Sequence, residues 1–501
     1  MVYGIGKDSW WMRNHGTIVP PVQAGKGRRA GMMYSAGTMR IAWIAVLLAV
    51  TTAGRAQLAP ETEAKVASIA NQVLHDTGVP SASVGIVENG QVVYAHAFGM
   101  ARVEPQLAAS PEMAYPIGSI SKQFTATVVL LLQEQGKLSI DDPVAKYFPA
   151  LTRAGDVKLK NLMTMTSGYE DFAPQDYSIP AWYVKRDPAD TVKEWAGKPL
   201  NFEPGTEWQY SNTNYVLLAL IVEKVTGEPF YQYLREHVLG PAGLDGVFNA
   251  YTDREKLRTT GYISYAMQPP RVLPLEAPSW YFGDGELAMP AATLLKWDQT
   301  IMNQAILKPE SYRQFETPFV TKDGKNTNYG LGVRVQNRNG HRLLEHGGEV
   351  GGYVADNIVY PDDKLAIVVL TNEVASSAAS TIGTQLTALL LPGAVTQEGA
   401  PDAVAAELPG ILAAFAKGQI DRTKFSANCN AYFSDAAIAD FKATVAPLGE
   451  VKSMYRTRSA LRGGMTFGDY RVVFANGATL EMNTYTLPDG KIEQLLITGK
   501  A

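Results

Sequence analysis

Between residues 119 and 135 apolar side chains recur at helical spacing: Phe124, Val128, Leu131 and Leu132 form one stripe, and Gly136 sits where a C-terminal cap belongs. The same period predicts helices over 61–77 and over 213–226, where VLLALIVEKV is the apolar core. SASVGIVENGQVVYAHAFG reads as two strands joined by Asn89-Gly90, a hairpin signal. Strand patterns return late, in YGLGVRVQN, GGYVADNIVYP and KLAIVVLTNE (364–373). Strands at both ends of a mainly helical middle predict an α/β fold, a sheet flanked by helices with a mainly helical insertion. The pairing of the two chain ends in one sheet is inferred from element order, since periodicity says nothing about partners.

The small, polar stretch PGAVTQEGAPDA reads as a linker over 392–403, separating a main domain (57–391) from a tail (404–501). In the tail, helical patterns at 404–417 and 434–446 precede strand patterns near 452–460, 467–476, 478–487 and 491–498. Asn476-Gly477 and Pro488-Asp489-Gly490 mark turns. Helices followed by a meander predict a small α+β domain of unknown role, and the linker composition implies that few contacts cross to it.

At the N-terminus, MRIAWIAVLLAVTTAGRA (39–56) has the layout of an export signal: Arg40, an apolar run, then small residues. Arg40 and Arg55 bracket only 14 uncharged residues, too few for a spanning helix. The expectation is therefore a signal peptide with an upstream extension over 1–56, a periplasmic or secreted protein, and no stable membrane span after cleavage. Cys429 is the only cysteine, so no disulfide forms within the chain. A net charge of −4 with no basic stripe argues against a nucleic-acid partner. The six histidines show no metal-ligand spacing, and neither a metal nor another cofactor is expected.

Ser119 and Lys122 are three residues apart in the first turn of a predicted helix, hence on one face. A lysine opposes the positive end of the helix dipole there. In a desolvated cleft, burial and that dipole both disfavour the ammonium, and a neutral amine can take the serine proton. S-x-x-K alone is weak, because about one copy is expected by chance in this length, and the lysine could simply point to solvent. Two further stretches add to it. FEPGTEWQYSN carries Tyr210-Ser211-Asn212 just before an apolar helix, and LLEHGGEVGGY carries His346-Gly347-Gly348 on the approach to a strand. Taken singly, Tyr210 is a packed aromatic, Asn212 a helix cap and His346 a surface loop residue.

Together these motifs make the chain resemble the serine hydrolases that group class C β-lactamases, penicillin-binding D-alanyl-D-alanine carboxypeptidases, D-aminopeptidases and related esterases. The resemblance also covers DDPVAKYFP, NLMTMTSG, VTGEPFYQYLREHVLGPAGL and IVVLTNE, spanning about residues 60–391 and excluding the tail. It implies a β-lactamase/transpeptidase-like fold and a small-molecule or peptidoglycan-like substrate. It implies that Ser119 attacks a carbonyl to form an acyl-enzyme, while Lys122 and Tyr210 share the proton work. Asn212, His346, Gly348 and Glu349 would contact substrate. The backbone N–H groups of Ser119 and Glu349 would form an oxyanion hole, such donors being typically worth about 3 to 4 kcal/mol of barrier each.

One departure narrows the substrate. Relatives carry Lys-Thr-Gly or His-Thr-Gly where this chain has His346-Gly347-Gly348. Histidine is mostly neutral above about pH 6.5, and Gly347 lacks the hydroxyl that grips a substrate carboxylate. Both changes favour an esterase or amidase acting on a neutral substrate over an efficient β-lactamase. If the His346 imidazolium were the anchor, acid substrates should bind less well as pH rises through roughly 6 to 7.5. A D-Ala-D-Ala carboxypeptidase or D-aminopeptidase is the alternative within the class; a non-catalytic penicillin-binding sensor or scaffold is the alternative outside it. Loops at 170–200 and 265–290 are the expected pocket walls.

Overall fold

Asn89 and Gly90 take φ of 54° and 76°, the left-handed pair that a two-residue hairpin requires, so β1 (Ser81–Glu88) and β2 (Gln91–Arg102) pair antiparallel as expected. This is a computed structural model that describes residues 57–394 and 407–500. The expected export signal and most of the expected linker fall outside the described residues. Four more strands complete the main sheet: β3 (Arg334–Arg338), β4 (His341–Val350), β5 (Tyr353–Tyr360) and β6 (Leu365–Thr371). The order is β2-β1-β6-β5-β4-β3, with the two-residue strand Leu107–Ala108 outside β2. Chain ends do meet: β1 pairs with β6 from Ala82↔Thr371 to Val87↔Ala366.

β6 is apolar at nearly every position because both faces are covered. Ile367 and Val369 join the core under α1 (Pro60–Thr77) and α5 (Ala378–Leu390). Ala366, Val368 and Leu370 join the core that holds α2 (Ser121–Glu134), α3 (Asn212–Thr226) and α4 (Ala291–Met302). Phe124 stacks on Trp297 at 4.2 Å, tying α2 to α4. Burial of each such large apolar side chain contributes roughly 1.5–3 kcal/mol, which fixes the start of α2 and the residues it carries. Among the described residues no helix is long and apolar enough to cross a membrane.

The tail contains α6 (Leu408–Ala416), a short helix Ala427–Tyr432, α7 (Asp435–Val445), and a meander of β7 (Val451–Arg462), β8 (Met465–Phe474), β9 (Thr479–Thr486) and β10 (Ile492–Lys500). Its core centres on Phe415, Phe425, Phe433 and Phe441. The expectation of few crossing contacts needs correction. Tyr177, Ile263 and Val374 of the main domain belong to that same apolar core. Tyr177 donates its hydroxyl to the Glu493 carbonyl at 2.8 Å, and the Asp176 N–H donates to Gln494 at 2.7 Å. Linker composition carries no information about docking.

Candidate active site

Ser119 sits in a 3-10 turn, Gly118–Ile120, that runs directly into α2. Gly118 has φ 51°, and a Cβ there would lie 2.6 Å from the backbone N of Glu349. A Cβ on Gly348 would lie 1.9 Å from the Ile117 carbonyl oxygen and 3.2 Å from the Ser119 N. Two absent side chains thus let β4 press against the turn and bring the backbone nitrogens of Ser119 and Glu349 to one place. β3 pairs with β4 only from His341 to Glu345, and from Glu345 to Val350 β4 lines a cavity of about 560 Å³. The His-Gly-Gly motif therefore lies inside a strand, not on the approach to one. The Glu349 side chain accepts from the Ala375 N–H at 3.0 Å.

Lys122 is 0% exposed and its side-chain nitrogen meets three oxygen atoms. Nζ lies 2.9 Å from Ser119 Oγ, 2.7 Å from Asn212 Oδ1 and 2.9 Å from the Asp284 carbonyl oxygen. Solvent is thus ruled out as its destination. The Asp284 carboxylate stands 3.6 Å away; burial pushes its carboxyl up to about 7, with the Lys122 charge opposing the rise. Asn212 is the first residue of α3 and does not act as its cap. Its N–H donates to Asp171 Oδ1 at 2.9 Å and its side-chain amide to the Ala173 carbonyl at 3.1 Å, which aims Oδ1 at Lys122.

Tyr210 precedes α3 by two residues and its ring centroid lies 5.1 Å from Lys122 Nζ. Its hydroxyl is buried and has no hydrogen-bond partner among the described residues. His346 is buried too, with Nδ1 2.6 Å from the Gly347 carbonyl and Nε2 2.9 Å from the Tyr329 hydroxyl. Burial first, and the Lys122 charge second, push its imidazole down to about 3. The imidazolium anchor is therefore corrected: at neutral pH this histidine carries no charge.

Ser119, Tyr210, Asn212, His346, Gly348 and Glu349 all line the one cavity, with Lys122 behind them. The expected loops supply Tyr177 and Trp182 on one side and Glu276 and Tyr281 on another. An unexpected wall comes from the tail, where Arg458 and Arg462 of β7 and Tyr485 of β9 face the same space. Asp171, Asp284 and Arg462 were not legible as site residues, because no motif marks them. Among the described residues no cluster of His, Cys, Asp or Glu could hold a metal ion.

A partly exposed serine bonded to a buried lysine one turn along is thus set against a strand of a helix-flanked antiparallel sheet. The model of the Beta-lactamase family matches residues 66–391, and the chain belongs to that family. It is 31% identical over 259 residues to PbpX of Bacillus subtilis (strain 168), a proposed penicillin-binding protein, covering 51% of this chain and 62% of that one. It is 27% identical over 312 residues to the D-aminopeptidase of Brucella ovis, covering 58% of this chain and 56% of the relative. The matches thus span less than two thirds of these relatives' own length. In fold it is similar to the octameric penicillin-binding protein homologue from Pyrococcus abyssi, with a TM-score of 0.58 at 24% identity, covering 87% of this chain and 99% of the other.

Proposed function

We propose that the protein hydrolyses an ester or amide carbonyl through an acyl-enzyme on Ser119. The observation that carries this reading is the 2.9 Å contact between Ser119 Oγ and the fully buried Lys122 amine. Lys122 takes the hydroxyl proton as Oγ attacks, and the backbone N–H groups of Ser119 and Glu349 receive the charge that develops on the carbonyl oxygen. Tyr210 shares the proton transfer to the leaving group and from the deacylating water. Its unpartnered hydroxyl in the same cavity supports that role.

A neutral His346 and a Gly347 without a hydroxyl give an acid group no grip at the third motif. Substrates without a carboxylate at that position are favoured, with lactams and D-alanyl termini less so. D-Aminopeptidase activity is the second reading, favoured by the relative from Brucella ovis. Export to a periplasm or the exterior, where a peptidoglycan-like substrate would be met, belongs to the same proposal.

The test is covalent labelling. A fluorophosphonate should add to Ser119 by intact mass, and Ser119→Ala should stay unlabelled. Equal labelling of the variant would end the assignment. p-Nitrophenyl esters, D-amino-acid amides, D-Ala-D-Ala peptides and a chromogenic cephalosporin, assayed side by side, then rank the substrates.

A further inference from the structure

Where β7 ends, the tail delivers one side chain to the hydrogen-bonded row behind the nucleophile. Arg462 Nε lies 3.1 Å from Asp171 Oδ2, and Nη2 donates to the Ala173 carbonyl at 2.8 Å. These are the two groups that hold Asn212, whose N–H and side-chain amide bond to Asp171 Oδ1 and the Ala173 carbonyl from the other side. Asn212 Oδ1 in turn accepts from Lys122 at 2.7 Å, and Lys122 meets Ser119. An unbroken row therefore runs from Arg462 through Asp171, Asn212 and Lys122 to Ser119.

The charge arrangement gives the row its direction. The Asp171 side chain is 0% exposed, and Arg462 is the cation in contact with it. A carboxylate buried without its partner either takes up a proton or draws another cation, and both disturb what it holds. The guanidinium is itself fixed: Nη1 donates to the Tyr485 hydroxyl at 3.1 Å and lies 3.5 Å from Asp176, and the group sits 5.1 Å from the Tyr210 ring centroid. The tip is anchored as well, since the Gly464 N–H donates to Gln209 at 3.2 Å, one residue before Tyr210. The planar fork matters here, because one side chain must satisfy a carboxylate, a carbonyl and a phenol at once.

We infer that Arg462 is a positioning residue of the hydrolase site, supplied by the tail: by balancing the Asp171 carboxylate it keeps Asn212, and through it Lys122, aligned on Ser119. This rests on the acyl-enzyme reading above. The catalytic unit then extends from residue 119 to residue 462, and the tail is part of it.

The experiment measures the rate of Ser119 labelling by a fluorophosphonate, which reports acylation without a known substrate. Thermal melts verify the fold of each full-length variant. Arg462→Met should slow labelling at least tenfold, whereas Lys452→Met, an exposed change on the same strand, should leave it within twofold. Asp171→Asn combined with Arg462→Met removes both charges and should recover most of the lost rate. A merely structural clamp would lower the melting temperature of Arg462→Met without this charge-specific recovery. Labelling of Arg462→Met within threefold of wild type, or a folded double variant no faster than the single, overturns the inference. If Arg462→Met does not fold, the double variant decides: it should label within tenfold of wild type, and a folded double variant slower than that overturns the inference. Absence of Ser119 labelling in the wild type would instead remove the acyl-enzyme reading itself.

Discussion

Tyr329 and His346 form one buried pair: the phenol donates to Nε2 at 2.9 Å, and Nδ1 donates to the Gly347 carbonyl at 2.6 Å. Both ring nitrogens are used by the neutral imidazole, and burial pushes the Tyr329 hydroxyl well up, so it stays a donor. His346 fills the place of a charged anchor with a neutral wall.

The first consequence is a shared profile. Between pH 6 and 7.5 KM for a carboxylated substrate should change no more steeply than KM for a neutral ester, in contrast with an imidazolium anchor. Stability should carry the signature of this residue. Its folded value near 3 is below the unfolded 6.5, so the unfolded chain binds the extra proton first. The contribution is fully present above about pH 6.5 and is lost as pH falls toward 3. His346→Gln should therefore show a shallower fall of melting temperature than wild type from pH 6.5 to 4. An equal slope would mean that His346 titrates normally.

Gly348 and Gly347 should respond in opposite ways. Alanine at 348 drives a Cβ to 1.9 Å from a backbone carbonyl and pushes β4 off the Ser119 turn. Gly348→Ala should lose activity by roughly 100-fold or more, the scale of a disrupted oxyanion site. At Gly347 the nearest atom to a new Cβ is 3.7 Å away. Gly347→Thr should fold normally and lower KM for carboxylated substrates selectively. Comparable damage from both substitutions would show that the strand tolerates no side chain there.

Tyr210→Phe should retain the melting temperature while turnover falls by about 100-fold, the usual scale for a lost acid/base group. The hydroxyl bonds to no described residue, so its removal costs no contact. Turnover within threefold of wild type would leave Tyr210 a packing residue.

Ending the chain at residue 394 should not yield an active core. Tyr177, Ile263 and Val374 would lose their apolar cover, and Asp171 its arginine. The expected result is an insoluble protein, or a soluble one whose Ser119 labels at least tenfold more slowly. A truncated protein that labels at the wild-type rate would show that the tail is dispensable.

Much of this was legible in the sequence, and the reason is locality. The Asn89-Gly90 hairpin, the helix carrying Lys122, and the tail meander each follow from period and turn chemistry within a few residues. That Ser119, Lys122, Tyr210, Asn212 and His346 belong together was suggested by motif order and resemblance, and they do meet around one cavity. Asp171 and Arg462 were not, because their meaning lies in a contact between residues 291 positions apart. His346 shows the same limit: its residue type suggested a titrating group, and what silences it is burial in a pocket where Tyr329 meets its ring. Pairing of the chain ends was reachable from order alone, yet its register was not.

That pairing has a bearing on when the protein can act. The Ser81 N–H bonds to Asn372, 291 residues along, and the sheet closes only when β6 slots beside β1. Such long separations make closure a late, slow event in folding. Until then Ser119 has no Glu349 nitrogen beside it, and until β7 docks Asp171 has no cation. A ribosome still building this chain therefore carries a latent site, complete only once β6 has paired and β7 has docked.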